Sequence, residues 1–187
     1  MLTHNDLLVL GFLLERPMHG YEINLALKEE DVGLWFEIST AAIYYSLNKL
    51  QRLCLIAEAH SRRSSGDKTI FHVTDSGREA FFVGMESLLN SEKPIHTEYD
   101  LGIFMLNRLS KNQAVRLLEK RIAFLWQLKA QLELKHDEAK GRLLKQAILQ
   151  HSIAMAQLDV DWLADITEKL AEAEKCGSDY QSLMTLQ

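Results

Sequence analysis

The chain of 187 residues is poor in the residues that interrupt helices and in those that build disulfide or metal frameworks. It has only two prolines and nine glycines, which argues against long disordered linkers and favours long helices. Its two cysteines, Cys54 and Cys176, lie far apart in the sequence, and neither belongs to a CxxC pair. We therefore expect free thiols in a reducing compartment rather than a disulfide framework or a structural zinc site.

Long apolar runs and familiar catalytic motifs are also missing. No stretch approaches the roughly 18 apolar residues of a membrane-spanning helix, and the apolar N-terminus lacks a basic leader and a small-residue cleavage site. We predict a cytoplasmic protein with no membrane partner. A glycine-rich phosphate loop, a GxSxG elbow and an HExxH pair are absent, so we predict neither an enzyme nor a cofactor or metal. The weak metal alternative is His60 with His72 on facing strands, which lacks a third ligand.

The net charge of −5 counts against a nucleic-acid partner, but the basic groups are unevenly distributed. Between residues 49 and 68, five basic side chains stand against two acidic ones, a local balance of +3 in an acidic chain. Contacts to phosphate are local, because salt screens exposed charges beyond about 10 Å. The cluster is therefore compatible with DNA binding.

Caps, breakers and hydrophobic periodicity predict a mostly α fold with a small β-hairpin. The N-terminal part is expected to be a winged helix-turn-helix, and the C-terminal part an antiparallel helical arm that forms a dimer. The predicted domains are a DNA-binding domain at 1–90, a linker with a short helix at 91–109 and the dimerisation arm at 110–187. The predicted elements are helices at 3–15, 21–31 and 39–53, a hairpin at 55–60 and 69–73, a helix after 74–76, and two long helices at 110–140 and 142–175.

The third predicted helix carries the pattern that points to DNA. On a wheel of 100° per residue, Ile43, Leu47, Leu50 and Cys54 form a narrow apolar sector. The opposite side has a small residue, phenols, an amide and cations, and no carboxylate, which suits contacts to bases and phosphates. The alternative is an ordinary solvated helix face. The residues predicted to contact DNA from this helix and its N-cap are Ser39, Thr40, Ala41, Tyr44, Tyr45, Asn48, Lys49 and Arg52.

Two further segments are predicted to contact DNA. The tip of the hairpin offers Arg62, Arg63 and Lys68 to the backbone or to a minor groove. Tyr21 opens the second helix, where backbone N–H groups can hold a phosphate; its alternative is packing in the domain core. Trp35 and Phe36 are expected to pack in that core.

The C-terminal helices carry a stripe of large side chains. Its spacings of 3, 4, 3 and 4 residues resemble a coiled-coil seam, so we predict a dimer interface. Three aromatic or sulfur-containing side chains are predicted to line a pocket for a small aromatic ligand. The alternative is that they only pack in the core of the dimer interface. The predicted dimer residues are Ile148, His151, Met155, Leu158 and Trp162. The predicted effector residues are Trp126, Met155 and Trp162.

Three motifs resemble those of PadR-family transcriptional regulators. The sequence LLERPMHGYEI at 13–23 resembles the family opening L-x-x-x-P-x-H-G-Y-E-I. STAAIYYSLNKL at 39–50 resembles its recognition helix S-x-x-x-I-Y-x-x-L-x-x-L, and VTDSGR at 73–78 resembles the segment after the wing. The C-terminal half resembles, more weakly, the helical domain of longer members and of virulence-activator regulators. The resemblance implies a homodimer on a palindromic operator, usually a repressor, which in some members an aromatic small molecule releases from DNA.

The sequence departs from the family pattern at two positions. Tyr45 stands where a proline is common, so contacts there are expected to differ. Cys54 stands where a glycine is usual, at a helix end that needs a positive φ, which costs another residue about 1 kcal/mol. A redox-active Cys54 is an alternative to a buried structural one. For the protein as a whole, the alternatives are a transcriptional activator of the same family and a winged-helix protein-interaction scaffold without DNA binding.

Overall fold

The structure is a computed structural model that describes residues 2–59, 69–92 and 97–175. The chain divides into two compact units, residues 1–93 and 94–187. In the described part of the chain, no helix is long and apolar enough to cross a membrane.

The first unit is a winged helix-turn-helix, as predicted. The elements are α1 (His4–Glu15), β1 (Met18–His19), α2 (Gly20–Glu29), a 3-10 turn (Val32–Leu34), α3 (Thr40–Arg52), β2 (Ile56–Ala59), β3 (Ile70–Val73) and α4 (Asp75–Leu89). The sheet has the antiparallel order β1-β3-β2, in which Ile56 pairs with Val73 and Met18 with Phe71. The sequence did not predict β1, because two residues are too few to show an alternating pattern.

Side-chain caps set where three of these helices begin. Thr3 and Asp6 form the predicted capping box, in which the Thr3 backbone N–H donates to Asp6 Oδ2 at 2.7 Å. The Ser39 hydroxyl accepts the Ala42 backbone N–H at 3.1 Å at the start of α3. The Thr74 hydroxyl likewise accepts a backbone N–H, that of Gly77, at the start of α4. Each cap satisfies N–H groups that would otherwise lack an intrahelical partner.

The core of the first unit lies between α1, α2, α3 and the sheet. Trp35 and Phe36 pack against it partly buried, which confirms their predicted role. The buried apolar residues of this core are Val9, Leu10, Leu13, Met18, Ile23, Leu27, Val32, Ile43, Leu47, Leu50 and Ile56.

The end of α3 is a Schellman turn built around Cys54. The Cys54 N–H donates to Gln51 O at 2.9 Å, and the Leu55 N–H donates to Leu50 O at 3.0 Å. Cys54 has φ 57°, so the predicted left-handed conformation is confirmed at a residue that is not glycine. Its side chain is exposed, and the interpretation as a buried structural cysteine is wrong. The Thr74 hydroxyl donates to Cys54 O at 2.9 Å and ties the turn to the start of α4.

The second unit is an antiparallel helical hairpin preceded by a short helix. It contains α5 (Glu98–Phe104), a 3-10 turn (Leu106–Arg108), α6 (Lys111–Glu138) and α7 (Leu143–Lys175). Gly141, at φ +83°, makes the turn between the long helices. Buried residues on each long helix recur every seven positions, as in a coiled coil. They are Leu118, Leu125 and Leu132 on α6 with Ala139 at its C-cap, and Leu149, Ala156, Leu163 and Leu170 on α7.

Candidate nucleic-acid interface

The outward face of α3 is open to solvent, as the sequence indicated. Tyr45 is 65% exposed, and Tyr44 is about half exposed. Ala41, Asn48 and Arg52 are exposed on the same side. The inward face is fully buried through Ile43, Ser46, Leu47 and Leu50. A helix that buries one side and exposes an amide, phenols and a guanidinium on the other can present those groups to a groove of DNA.

The start of α3 is held by contacts that the sequence did not reveal. The Thr40 hydroxyl donates to Asn24 Oδ1 at 3.0 Å, and Asn24 Nδ2 donates to Gly20 O at 3.1 Å. The amide of Asn24 therefore bridges α2 and α3. The exposed residues Ser39 and Thr40, both predicted to contact DNA, serve here as a helix cap and as an interhelical contact. Asn24 is a positioning residue that no periodicity or motif indicated.

Gly20 allows α2 to approach α3 and sets the place of Tyr44. A Cβ atom at position 20 would lie 2.7 Å from Tyr44 Cε1 and 3.0 Å from Leu47 Cδ1. Any side chain there would displace the Tyr44 ring, because Leu47 is buried in the core. The glycine of the HGY motif therefore shapes the outward surface of α3.

Tyr21 projects from the first turn of α2 and is 66% exposed, so the alternative of core packing is wrong. The turn that carries it is fixed by the His19 backbone N–H, which donates to Glu22 Oε2 at 2.7 Å. Arg16 Nη1 lies 3.0 Å from Glu22 Oε1. The His19 hydrogen bond and the Arg16 guanidinium hold the pKa of Glu22 below its usual value. The carboxylate stays ionised and keeps the helix start ordered.

Lys49 does not lie with the outward residues. Its ammonium contacts Asp6 Oδ2 at 2.5 Å, and its side chain is mostly buried between α3 and α1. Burial raises the pKa of Asp6, but hydrogen bonds from Lys49, Thr3 and Ser46 outweigh it, so the pKa is lowered overall. The prediction that Lys49 contacts DNA is corrected to a contact within the unit. A wheel places the residue at the edge of the polar face but cannot show that a carboxylate on another helix reaches it.

The hairpin carries the remaining predicted DNA contacts. Its strands pair as predicted, and His19 Nδ1 lies 3.0 Å from Thr69 O at the base of β3. Arg62, Arg63 and Lys68, together with His60 of the metal alternative, lie outside the described residues. Among the residues that are described, no group of His, Cys, Asp and Glu could hold a metal ion.

An open crevice of about 340 Å³ lies beside the start of α3, between that helix, α2 and the 3-10 turn. Its floor is formed by core residues that include Leu27 and Ile43, and its rim by Asn24, Lys28 and Asp31.

One aromatic cluster of the second unit surrounds Arg121. Trp162 lies 6.3 Å from Tyr99 between ring centroids, and the Arg121 guanidinium lies 4.7 Å from the Tyr99 centroid and 5.1 Å from that of Phe124. Arg121 Nε is buried and has no hydrogen-bond partner within the described part of the chain. Burial and a hydrogen bond to Asp159 raise the pKa of Tyr99, so its hydroxyl stays protonated.

Trp126 belongs to another cluster. Its ring lies 5.1 Å from Lys129 Nζ, which in turn donates to Gln157 Oε1 at 2.8 Å. No ring contact joins Trp126 to Trp162 among the residues that the structure describes. The shared wall of Trp126, Met155 and Trp162 around a small ligand stays a prediction. Met155 is half-buried on α7.

The predicted dimer stripe on α7 is largely exposed. Leu158 is 62% exposed, and Ile148, His151 and Trp162 are exposed on the same side. The stripe lies about 110° around α7 from the buried heptad seam that packs on α6, at 100° per residue. The hairpin therefore has one apolar face within its own fold and a second one that faces solvent.

These elements define the class of protein: a winged helix-turn-helix joined to a C-terminal helical hairpin. Residues 9–82 match the model of the transcriptional regulator PadR-like family. Over these residues the winged-helix unit is therefore similar to the PadR-like family of transcriptional regulators, which confirms the resemblance seen in the sequence. None of the curated proteins is similar enough in sequence to count as a relative.

Solved structures of regulators share the fold over most of both chains. The PadR-like regulator BC1756 from Bacillus cereus is 22% identical, with a TM-score of 0.67 over 90% of this chain and 98% of that one. Bacillus subtilis PadR in complex with operator DNA is 21% identical, with a TM-score of 0.69 over 88% and 98%; the same protein has also been solved with p-coumaric acid. The Vibrio cholerae virulence activator AphA is 16% identical, with a TM-score of 0.72 over 90% and 98%.

Proposed function

We propose that this chain is a homodimeric regulator that binds a palindromic operator in double-stranded DNA through α3 and the wing. The observation that carries the proposal is the solvent-exposed, carboxylate-free face of α3, which projects from a buried core. Asn48 and Arg52 are the candidates for base contacts, because an amide pairs with adenine and a guanidinium with guanine. The exposed Tyr21, Tyr44 and Tyr45 hydroxyls are suited to phosphates. Bacillus subtilis PadR, which shares the fold, was solved with operator DNA.

The test begins with selection of duplexes from a random-sequence pool by the full-length protein. Binding to the selected duplex is then measured against salt for wild type and variants. Asn48→Ala and Arg52→Ala are each expected to weaken binding about tenfold and to relax preference at one position. Arg62→Ala and Arg63→Ala are expected to weaken binding to all sequences and to lower the salt slope. Arg116→Ala, an exposed cation on α6, is the matched control.

Failure to retain DNA at low salt would refute the proposal and would favour the alternative of a protein-interaction scaffold. Unchanged binding in all four variants would show that α3 and the wing are not the DNA-reading surface.

The dimer is proposed to form through the exposed stripe on α7. A soluble chain rarely leaves a contiguous stripe of large apolar side chains uncovered. Two copies related by a twofold axis would cover it and would set half-sites about 34 Å apart, one turn of DNA. Leu158→Glu is expected to give a monomer in sedimentation at micromolar concentration. Leu134→Glu, at an equally exposed leucine on the back of α6, is expected to leave the dimer intact. The reverse result would place the interface on α6.

We further propose that the protein is a repressor and that an aromatic carboxylate releases it from DNA. The cluster of Tyr99, Arg121 and Trp162 supports this, because a guanidinium with a buried, unpartnered N–H stands between aromatic rings. Bacillus subtilis PadR was solved with p-coumaric acid, which makes that compound the probe. Arg121→Met is expected to abolish its effect on DNA binding, whereas Lys129→Met, beside Trp126, is expected to retain it. An unchanged response in Arg121→Met would reject this site.

Repression and activation are distinguished with a reporter gene placed downstream of the selected duplex. Lower reporter expression in the presence of the protein supports repression. Higher expression would show that the protein is an activator.

A further inference from the structure

A polar contact lies within the apolar core between α3 and α1. Among the buried residues of the described chain, two are polar, Asp6 on α1 and Ser46 on α3. Ser46 and Lys49 are three residues apart and therefore share one face of α3. The Lys49 ammonium and the Thr3 backbone N–H both contact Oδ2 of the Asp6 carboxylate. The Ser46 hydroxyl, which is buried on the same face of α3 as Lys49, contributes to the lowered pKa of Asp6.

This contact has little value as a source of stability. Removing two charges from water is costly, and replacing a buried ion pair with apolar side chains of similar size is often neutral or stabilising. The buried carboxylate has a different consequence: it admits very few arrangements of its neighbours. Apolar neighbours such as Leu47 and Leu50 can repack after a small shift, whereas a buried carboxylate that loses its donors carries a large free-energy penalty.

The geometry of α3 makes its rotation critical for recognition. A change of one residue in register turns the helix by about 100°. Such a turn would carry Asn48 and Arg52 away from the surface that faces solvent. The position of both side chains therefore depends on which face of α3 packs against α1.

We propose that Asp6, Ser46 and Lys49 are positioning residues, which fix the rotation of α3 on α1 and thereby determine the sequence specificity of DNA binding. Lys49 acts through Asp6 and not by contact with a phosphate. The proposal rests on the proposed function, since it assigns these residues a part in the same DNA recognition.

The test is the double variant Asp6→Leu/Lys49→Met, which replaces the ion pair with apolar side chains of similar size. Its free energy of unfolding is expected to stay close to that of wild type, because the apolar pair offsets the loss of the acceptor for the Thr3 N–H. The measured quantity is the ratio of affinities for the selected duplex and for a scrambled duplex of the same composition. This ratio is expected to fall about tenfold or more, which corresponds to the discrimination lost with one base contact. Binding to the scrambled duplex and its salt slope are expected to stay unchanged.

Two controls separate positioning from general effects. Lys49→Arg keeps a cation beside Asp6 and is expected to retain the affinity ratio. Asp165→Leu/Lys169→Met removes an exposed ion pair on α7, in which the charged atoms lie 2.6 Å apart, and is expected to change neither ratio nor slope.

Should the double variant not fold, Ser46→Ala supplies the second measurement. It removes one buried hydroxyl and is expected to lower the affinity ratio about threefold, the value of one hydrogen bond.

The outcomes distinguish this inference from the proposed function. If wild type selects no sequence, the proposed function fails. If wild type is specific and the double variant, or Ser46→Ala in its place, keeps the full ratio, the positioning role is refuted. A fall of about one in the salt slope of the double variant would also refute it, because Lys49 would then be a phosphate contact.

Discussion

Replacing Cys54 with glycine is expected to stabilise the protein, although the change removes a side chain. Cys54 holds φ 57° at the end of α3, where the Cys54 and Leu55 N–H groups close the Schellman turn. A Cβ atom in the left-handed region crowds the following carbonyl oxygen. The Cys54 side chain is exposed, so its removal leaves no cavity in the core.

The magnitude follows from two opposing effects. The left-handed conformation costs a residue with a Cβ atom about 1–2 kcal/mol. Glycine loses about 0.5–1 kcal/mol more conformational entropy on folding. The difference is a net gain of about 0.5–1 kcal/mol in the free energy of unfolding. For a domain of this size, that gain corresponds to a rise in Tm of about 2–8 °C.

The assay is urea and thermal unfolding of wild type, Cys54→Gly and Cys54→Ala, followed by circular dichroism under reducing conditions at one protein concentration. Cys54→Ala is the matched control, because it removes the thiol but keeps the Cβ atom and its strain. Cys54→Gly is expected to be the most stable of the three, with an unchanged dependence on urea. Equal stability of the glycine and alanine variants would refute the account of backbone strain.

Three further predictions concern the packing of the first unit. Gly77→Ala is expected to lower the free energy of unfolding by about 3 kcal/mol or more, because its Cβ atom would lie 2.0 Å from the Leu55 carbonyl oxygen. Gly33→Ala is the control, because a Cβ atom at that position meets nothing within 4 Å. Equal stability of the two variants would contradict the packing at Gly77. Gly20→Ala is expected to displace Tyr44 and to weaken binding to the selected duplex about tenfold, with Gly33→Ala again as the control. Unchanged affinity would exclude Tyr44 from the DNA interface. Because the pKa of folded Asp6 lies below its ordinary value of 3.8, its ionised form stabilises the fold above about pH 4, and this contribution is lost as the pH falls through the lowered pKa. The stability difference between wild type and Asp6→Asn, about 3 kcal/mol at pH 7, should therefore shrink in acid unfolding titrations, and a constant difference would show that the ionisation of Asp6 is not involved.

Features set by neighbours in the chain could be predicted from the sequence. The caps at Thr3, Ser39 and Thr74 act within three residues, and each stands where a helix begins. The positive φ at Cys54 follows equally from its place just after a helix. The exposed face of α3 follows from periodicity, because a helix with one apolar side must bury that side.

Features that depend on contacts between distant residues could not be predicted. Lys49 and Asp6 are 43 positions apart, and only the packing of α1 on α3 brings them together. The bridge of Asn24 to Thr40 and the pairing of β1 with β3 are of the same kind.

The two faces of α7 show the same division. The spacing in the sequence identified the stripe through Leu158 and Trp162, yet the side packed on α6 is the one through Leu149 and Leu163. Both faces have apolar residues at coiled-coil spacing, so periodicity alone cannot say which is used within the chain.

The sequence by itself determined the class of the fold, the helix limits and the side of α3 that faces outward, because these follow from local hydrogen bonding and hydrophobic periodicity. Only the tertiary structure decided that Lys49 binds Asp6, that Trp126 and Trp162 lie in separate clusters, and that Gly20 makes room for Tyr44. The physical reason is that the packing of whole helices and strands determines which side chains come into contact. The position of a residue in the sequence of a helix determines only the direction in which its side chain points.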